Sequence, residues 1–379
     1  MMHWSEDQRE LRAAIAALGE RLGEGHLERD RTGEFSHDNW KLLRESDLFR
    51  LPFEERWGGL GQSLTTTLYV LEGLGRACRD AGLSFSATTH MVSTGVPIQR
   101  FGSPALKERF LPAVCAGEVI GAHAISEPEA GSDMLSLRTT GRVEDGHLVL
   151  NGNKAFVTNG PIADVFVVYV STGERGSPFG ITAVVVERDR PGLTVGGPMA
   201  KMGLRTSPLS ELFFDDCRVP LENVIGRVGT GFVVFDHVMK WEVLCSFVVN
   251  VGEMRARLDR VVEYARTREQ FGRPIGSHQA VAHRIARMRV ATDTARSALY
   301  EAARKVEAGE DATVEVATAK LLASEGNLAS AVAAVQTFGG YGYMAEYGLE
   351  QDLRNAVAGT IYSGTTDIQY SRIATTMGL

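Results

Sequence analysis

The chain has 379 residues, 44% hydrophobic and 23% charged, with a formal net charge of −7. That length exceeds the ~250 residues at which one core stops growing, which predicts two or three domains. The acidic balance argues against a nucleic-acid or anionic-membrane surface, and no apolar run reaches the ~18 residues of a membrane span.

The N-terminal MMHWSEDQRE has no apolar core or cleavage site, so no export signal is expected. Helical periodicity runs over 6–23, with Leu11, Ile15, Leu18 and Leu22 on one face. Ser36 is placed to cap a second helix carrying Trp40, Leu43 and Leu48. Beyond the Gly-rich stretch 52–63, helices are predicted over 64–78 and 84–101, and Ser103 caps a fifth. Residues 1–117 read as an all-helical domain. Near Val119 the period changes. VFVVYV (165–170), ITAVVVE (181–187) and SELFFDD (210–216) are strands rich in branched and aromatic residues. Asp145-Gly146, Asn151-Gly152 and Asn159-Gly160 are read as turns. Residues 118–228 predict an antiparallel sheet domain, a small barrel or sandwich. Helix returns over 229–267, 277–308, 311–338 and after Gly364, so 229–379 is a long-helix bundle of a kind that often buries its outer faces by oligomerising. The fold class is α+β. The four scattered cysteines (Cys78, Cys115, Cys217, Cys245) form no CxxC pair, which speaks against disulfides and structural zinc and for a reducing cytoplasm. No HExxH or other metal-ligand spacing occurs, so no metal is expected.

The longest predicted helix, of about ten turns, has an apolar stripe at Phe235, Val238, Met239, Cys245, Ser246 and Val249. Glu242 lies within it. A carboxylate on an apolar face costs several kcal/mol, of order ~2–7, unless paired or protonated, and no Lys or Arg sits three or four residues away. Glu242 is therefore either paired by something distant in sequence or a base with a raised pKa. Elsewhere, AISEPEAGSD (124–133) sets Ser126 and Ser132 in a small-residue turn, although such turns are common. KAFVTNG (154–160) puts Phe156 and Thr158 on one side of a strand, where a core Phe and a strand Thr is the simpler reading. REQFGRP (268–274) ends the long helix, and an Arg there can be only a dipole partner. QTFGGYGY (336–343) has free N–H groups suited to a pyrophosphate or to a helix C-cap, and it is not a Rossmann turn. IYSGTTDIQ (361–369) turns into a helix N-terminus, an anion or carbonyl site.

In their order, EPEAGSD, FVTNG, KMGLRTSPLSELFF, RVPLENVIGRVGTGF, REQFG, QTFGGYGY and YSGTTDIQ resemble the acyl-CoA dehydrogenase family over nearly the whole chain. The resemblance implies an N-terminal helical domain, a middle β domain and a C-terminal four-helix bundle, assembled as a homotetramer around FAD. It implies that Ser126 bonds the flavin pyrimidine edge and that Phe156 and Thr158 line the ring near N5. Ser132 would face the acyl-pantetheine. Arg268, Phe271 and Gln279 would reach a neighbouring subunit's FAD. Gln336 to Gly340, with Gly339 among them, would hold the pyrophosphate, and Thr365 with Asp367 would close the adenosine end. One departure matters most. Many members carry the catalytic Glu where this chain has Ser363, whereas a subset supplies it from the long helix, at the position of Glu242. A second departure is Val243, where several relatives have Arg. KWE (240–242), CRDAGLSFS (78–86) and NGPIADVF (159–166) are similar to flavoproteins that oxidise prolyl groups on carrier proteins to pyrrolyl groups.

The mechanism thereby implied has Glu242 take the α-proton and flavin N5 the β-hydride of an acyl thioester. Burial should raise the Glu242 pKa toward working pH. The Ser363 N–H and a ribityl hydroxyl would bind the thioester carbonyl, and O2 or an electron-transfer flavoprotein would reoxidise the flavin. The substrate would be a prolyl or similar group on a peptidyl or acyl carrier protein, or on CoA. Alternatives are a short- or branched-chain acyl-CoA dehydrogenase, a flavin oxidase or monooxygenase on the same fold, and a non-catalytic FAD-binding protein. Pocket shape is expected to depend on His90, Met91 and Leu244.

Overall fold

The structure, a computed structural model, describes residues 3–379; the first two positions of the N-terminal segment read above lie outside them. Helices α1 (Glu6–Gly23), α2 (His26–Thr32), α3 (His37–Glu45) and α4 (Leu64–Ala77) open the chain. Ser5, Ser36 and Ser63 cap α1, α3 and α4, each accepting a first-turn N–H, as exposed helix starts require. Helix α2 begins at Gly25 with no side-chain cap, so it carries no start signal. The expected 84–101 helix is three joined pieces: α5 (Ala81–Thr88), a π-helical stretch Thr89–Gly95, and α6 (Val96–Phe101). Helix α7 (Pro104–Cys115) follows, capped by Ser103.

The middle of the chain is one eight-stranded sheet. Its strands are β1 (Gly121–Ala124), β2 (Thr140–Glu144), β3 (His147–Thr158), β4 (Val165–Ser171), β5 (Ile181–Glu187), β6 (Leu193–Val195), β7 (Leu209–Pro220) and β8 (Val224–Ile225). The order is β6-β7-β3-β2-β4-β5-β8, with β1 also on β4. Most pairings are antiparallel, but β1 and β2 both meet β4 in parallel. Asp145-Gly146 makes the tight β2–β3 turn, both residues at positive φ, as a mirror-type hairpin turn demands. Asn151-Gly152 is not a turn: it lies inside β3, where the register with β7 slips, and Gly152 at φ +133° marks a bulge. Strand β4 is buried on both faces, which explains its unbroken apolar run. Phe166, Val168 and Val170 fill the core inside the sheet. Val165, Val167 and Tyr169 join the helical core outside it.

Helix α8 (Gly231–Thr267) lies against that outer face. Val238, Met239, Cys245, Ser246 and Val249 are buried along it. Arg268 is its C-cap, and REQFGRP continues as a hairpin of β9 (Glu269–Gln270) and β10 (Arg273–Pro274), not as helix. Phe271 at its tip is 92% exposed. Helices α9 (Gln279–Ala308), α10 (Thr313–Phe338), α11 (Gly340–Tyr343), α12 (Leu349–Ala358) and α13 (Thr366–Thr376) complete the chain.

Two glycines let α4 and α8 touch backbone to backbone. A Cβ on Gly75 would stand 2.2 Å from the Val249 carbonyl oxygen, and one on Gly252 would stand 2.4 Å from that of Glu72. Neither gap can accept a methyl group without moving a helix. Gly75→Ala should therefore destabilise the protein by about 1–3 kcal/mol, read as a lowered denaturant midpoint at unchanged slope. An unchanged midpoint would show that this crossing yields easily.

Candidate active site

A cavity of about 630 Å³ opens where the sheet, α8 and the α12–α13 turn meet. That size lies within the ~300–1,000 Å³ of small-molecule and cofactor sites. Its lining includes Ser126, Ser132, Phe156 and Thr158 from the sheet side, Phe235, Met239 and Glu242 from α8, and Ser363 and Thr365 from the last turn. Another hollow, of about 680 Å³ on the outer face of α9 and α10, is lined by Val290, Ala291, Leu322 and Ala329 with Glu325 and Arg287.

Glu242 is 17% exposed and faces this cavity. Three elements supply its partners. Ser93, in the π-helical stretch, donates to Oε2 at 2.8 Å. His123 Nδ1 stands 3.3 Å from the same oxygen. The Ser363 hydroxyl donates to Oε1 at 2.5 Å. Burial is the largest single influence on this carboxyl and would raise its pKa, but its interactions with His123, by hydrogen bond and by charge, and the bonds from Ser363 and Ser93 outweigh it and hold the group below the ordinary range. This corrects the expectation of a raised pKa. The partners are distant in sequence, so no local spacing reveals them.

Each donor has a local reason to be there. The π-helical stretch widens the helical turn, a feature common at functional sites, and Ser93 is fully buried within it. Strand alternation sends Ala122 and Ala124 into the sheet core and leaves His123 on the face toward α8. Ser363 takes φ +55° and Gly364 φ +85°, a left-handed pair that reverses the chain before α13. The Gln369 side chain donates to both of their carbonyls, at 3.1 and 3.3 Å. Among the described residues the Ser363 N–H has no acceptor. Phe156, also at positive φ (+57°), is an aromatic left 60% exposed, beside a register shift between Lys154 and Val157. A bulky residue in that region is strained and is kept there by its surroundings.

The Ser126 loop is anchored from below. Lys154, fully buried, donates to the Ile125 carbonyl at 2.9 Å and to Glu127 at 2.7 Å. Burial pulls the Lys154 amine down to about 8. Burial alone would raise Glu127, but Lys154 and the N–H groups of Arg138 and Thr139 outweigh it, so Glu127 stays below the ordinary range.

Of the candidates from the sequence, the cavity gathers Glu242, Ser363, Ser126, Ser132, Phe156, Thr158 and Thr365. It does not gather Arg268, Phe271, Gln279, Gln336, Gly339, Gly340 or Asp367, which are exposed. Arg268 sits 5.7 Å over the Tyr341 ring, which ties the β9–β10 hairpin region to the α10–α11 junction as a second, outer cluster. His90 does not shape the cavity. It is buried between the Val114 carbonyl and the Gly121 N–H, each at 3.0 Å, and burial pulls it down to about 4. Met91 and Leu244 are core residues. His123 and Ser93 carry no motif and escape a reading of spacing alone.

The chain matches the acyl-CoA dehydrogenase N-terminal domain over residues 5–118, the middle domain over 122–217 and the C-terminal domain over 229–378. It belongs to the acyl-CoA dehydrogenase family. It is 40% identical over 341 residues to the L-prolyl-(peptidyl-carrier protein) dehydrogenase of Pseudomonas fluorescens, covering 90% of each chain. It is 37% identical to the mitochondrial isovaleryl-CoA dehydrogenase of Solanum tuberosum, over 97% of this chain and 89% of that one. Among solved structures, the prolyl acyl carrier protein oxidase AnaB superposes with a TM-score of 0.97 at 36% identity, with all of both chains covered. PigA with FAD and proline gives 0.97 at 35% identity, covering 100% of this chain and 99% of that one.

Replacing Lys154 by Met would leave Glu127 as an unpaired buried charge. We expect a loss of about 3–5 kcal/mol in chemical unfolding, with part recovered in the Lys154→Met, Glu127→Gln double variant. Additive losses would contradict the coupling.

Proposed function

We propose that this protein is an FAD-dependent dehydrogenase of acyl thioesters, acting on a prolyl group held by a carrier protein in the making of pyrrole-containing natural products. One observation carries the reading: a carboxyl, Glu242, hydrogen-bonded from three separate elements at the wall of a cavity whose sheet side presents Phe156 and three hydroxyls. The chain's residues fit the flavin. Phe156 and Thr158 offer a ring face and a hydroxyl, Ser126 a polar edge, and the volume suits a cofactor with part of its substrate. The nearness to prolyl-carrier dehydrogenases and oxidases supports the substrate class.

When bound, FAD supplies the hydride acceptor at the β-carbon. Glu242 takes the α-proton. The unpaired Ser363 N–H binds the thioester carbonyl and stabilises the enolate that proton loss creates. Ser132 faces the pantetheine arm, and Thr365 with Asp367 closes the adenosine end. The outer cluster of Arg268, Phe271, Gln279, Gln336, Gly339 and Gly340 is exposed in the single chain, and in a homotetramer it would serve FAD in a neighbouring subunit. The chain divides at about residues 117 and 228. The four cysteines are free and buried, which suits a reducing cytoplasm, and no described helix is long and apolar enough to cross a membrane. O2 or an electron-transfer flavoprotein takes the electrons.

Glu242→Gln should bind FAD normally yet reduce it with prolyl-carrier thioester about 10²–10⁴-fold more slowly, the usual worth of a positioned base, measured by anaerobic flavin bleaching. Near-normal bleaching by this variant would reject Glu242 as the base.

A further inference from the structure

The three donors do not load the two oxygens of Glu242 equally. Oε2 meets both the Ser93 hydroxyl and His123 Nδ1, whereas Oε1 meets only the Ser363 hydroxyl. Each carboxylate oxygen has about two lone-pair sites. Oε2 is therefore saturated and Oε1 keeps one site free. The tautomer of His123 follows from burial. Its Nε2 is buried with no partner among the described residues, and a proton there would be an orphaned donor, whereas a lone pair is tolerated more easily. The ring proton thus belongs on Nδ1, donating to Glu242. The imidazole is 6% exposed and held edge-on to Tyr169, centroids 5.3 Å apart, with Tyr169 in turn edge-on to Phe235 at 6.0 Å.

We propose that His123 is the positioning residue of the base. Together with Ser93 it ties down Oε2, holds the carboxyl in place on the apolar stripe of α8, and leaves Oε1 as the atom that receives the α-proton. The other titratable groups packed around Glu242 do not compete. Tyr169 of β4 and Tyr362 before α13 are pushed by burial above the ordinary tyrosine range. Asp236, on α8 itself, and Asp133, Glu127 and Arg372 line the same cavity but make no hydrogen bond to Glu242 among the described residues.

This inference rests on the proposed α-proton abstraction, and its test separates the two. The rate of anaerobic flavin bleaching by prolyl-carrier thioester is measured from acid to alkaline pH for the FAD-loaded wild type, His123→Phe and His123→Asn. FAD binding and thermal unfolding are recorded alongside. Removing the Nδ1 donor leaves burial less opposed, so the Glu242 pKa rises and the acid limb of the profile moves to higher pH. In His123→Phe the rate near the acid end should fall about tenfold or more, the worth of a hydrogen bond to a charged group, with little loss at the alkaline end. His123→Asn, whose amide can donate from near the Nδ1 position, should recover part of the acid-side rate. A uniform loss across pH, or an unmoved acid limb, would overturn the role of His123. A wild type that does not bleach at any pH would overturn the proposed function instead.

Discussion

The site depends on one constraint: a carboxylate placed in an apolar stripe must be solvated by the protein itself. Glu242 achieves this with donors from a π-helical stretch, a β-strand and a left-handed turn, brought together from positions 93, 123 and 363. The net effect is a carboxyl at the edge of a cavity whose pKa is held below the ordinary range. A base must hold no proton before it takes one, so a depressed pKa is compatible with the role. In the proposed reaction the cost is a smaller driving force for proton transfer, which enolate stabilisation by the Ser363 N–H would have to offset.

The fold serves this convergence. The α4–α8 crossing, closed to backbone contact by Gly75 and Gly252, fixes the rotation and height of α8. The double-sided burial of β4 gives α8 a flat wall. That wall carries Tyr169, and β1 beside it carries His123. The Lys154–Glu127 pair is the corresponding anchor on the sheet side. It costs desolvation, and it fixes the backbone on which Ser126 and the strained Phe156 stand. Two anchored faces thus line opposite sides of the cavity.

Much of this was legible in the sequence, and the reasons differ by residue. Glu242 stood out because an acid in an apolar stripe breaks the helical pattern. VFVVYV and ITAVVVE were legible as strands because burial on both faces leaves a continuous apolar run. Ser36 and Ser103 were legible as caps because capping is local chemistry. His123 was silent: one polar residue in a four-residue strand has no periodicity to break. Ser93 was silent because spacing predicts an ordinary helix, and a π-turn has no sequence signature of that kind. His90 was misleading, since a histidine in the right helix proved to be a satisfied core group. Asn151-Gly152 resembles a turn because the dipeptide favours positive φ, which a bulge also uses.

The central claim, that Glu242 removes the α-proton of a bound thioester, is tested most directly by isotope exchange with hydride transfer blocked. With the flavin already reduced, prolyl-carrier thioester is held with the protein in D2O and its mass is followed. The account predicts deuterium entering at the α-carbon with the wild type and not with Glu242→Gln. Exchange that persists without the carboxylate, or no exchange with the wild type, would contradict it.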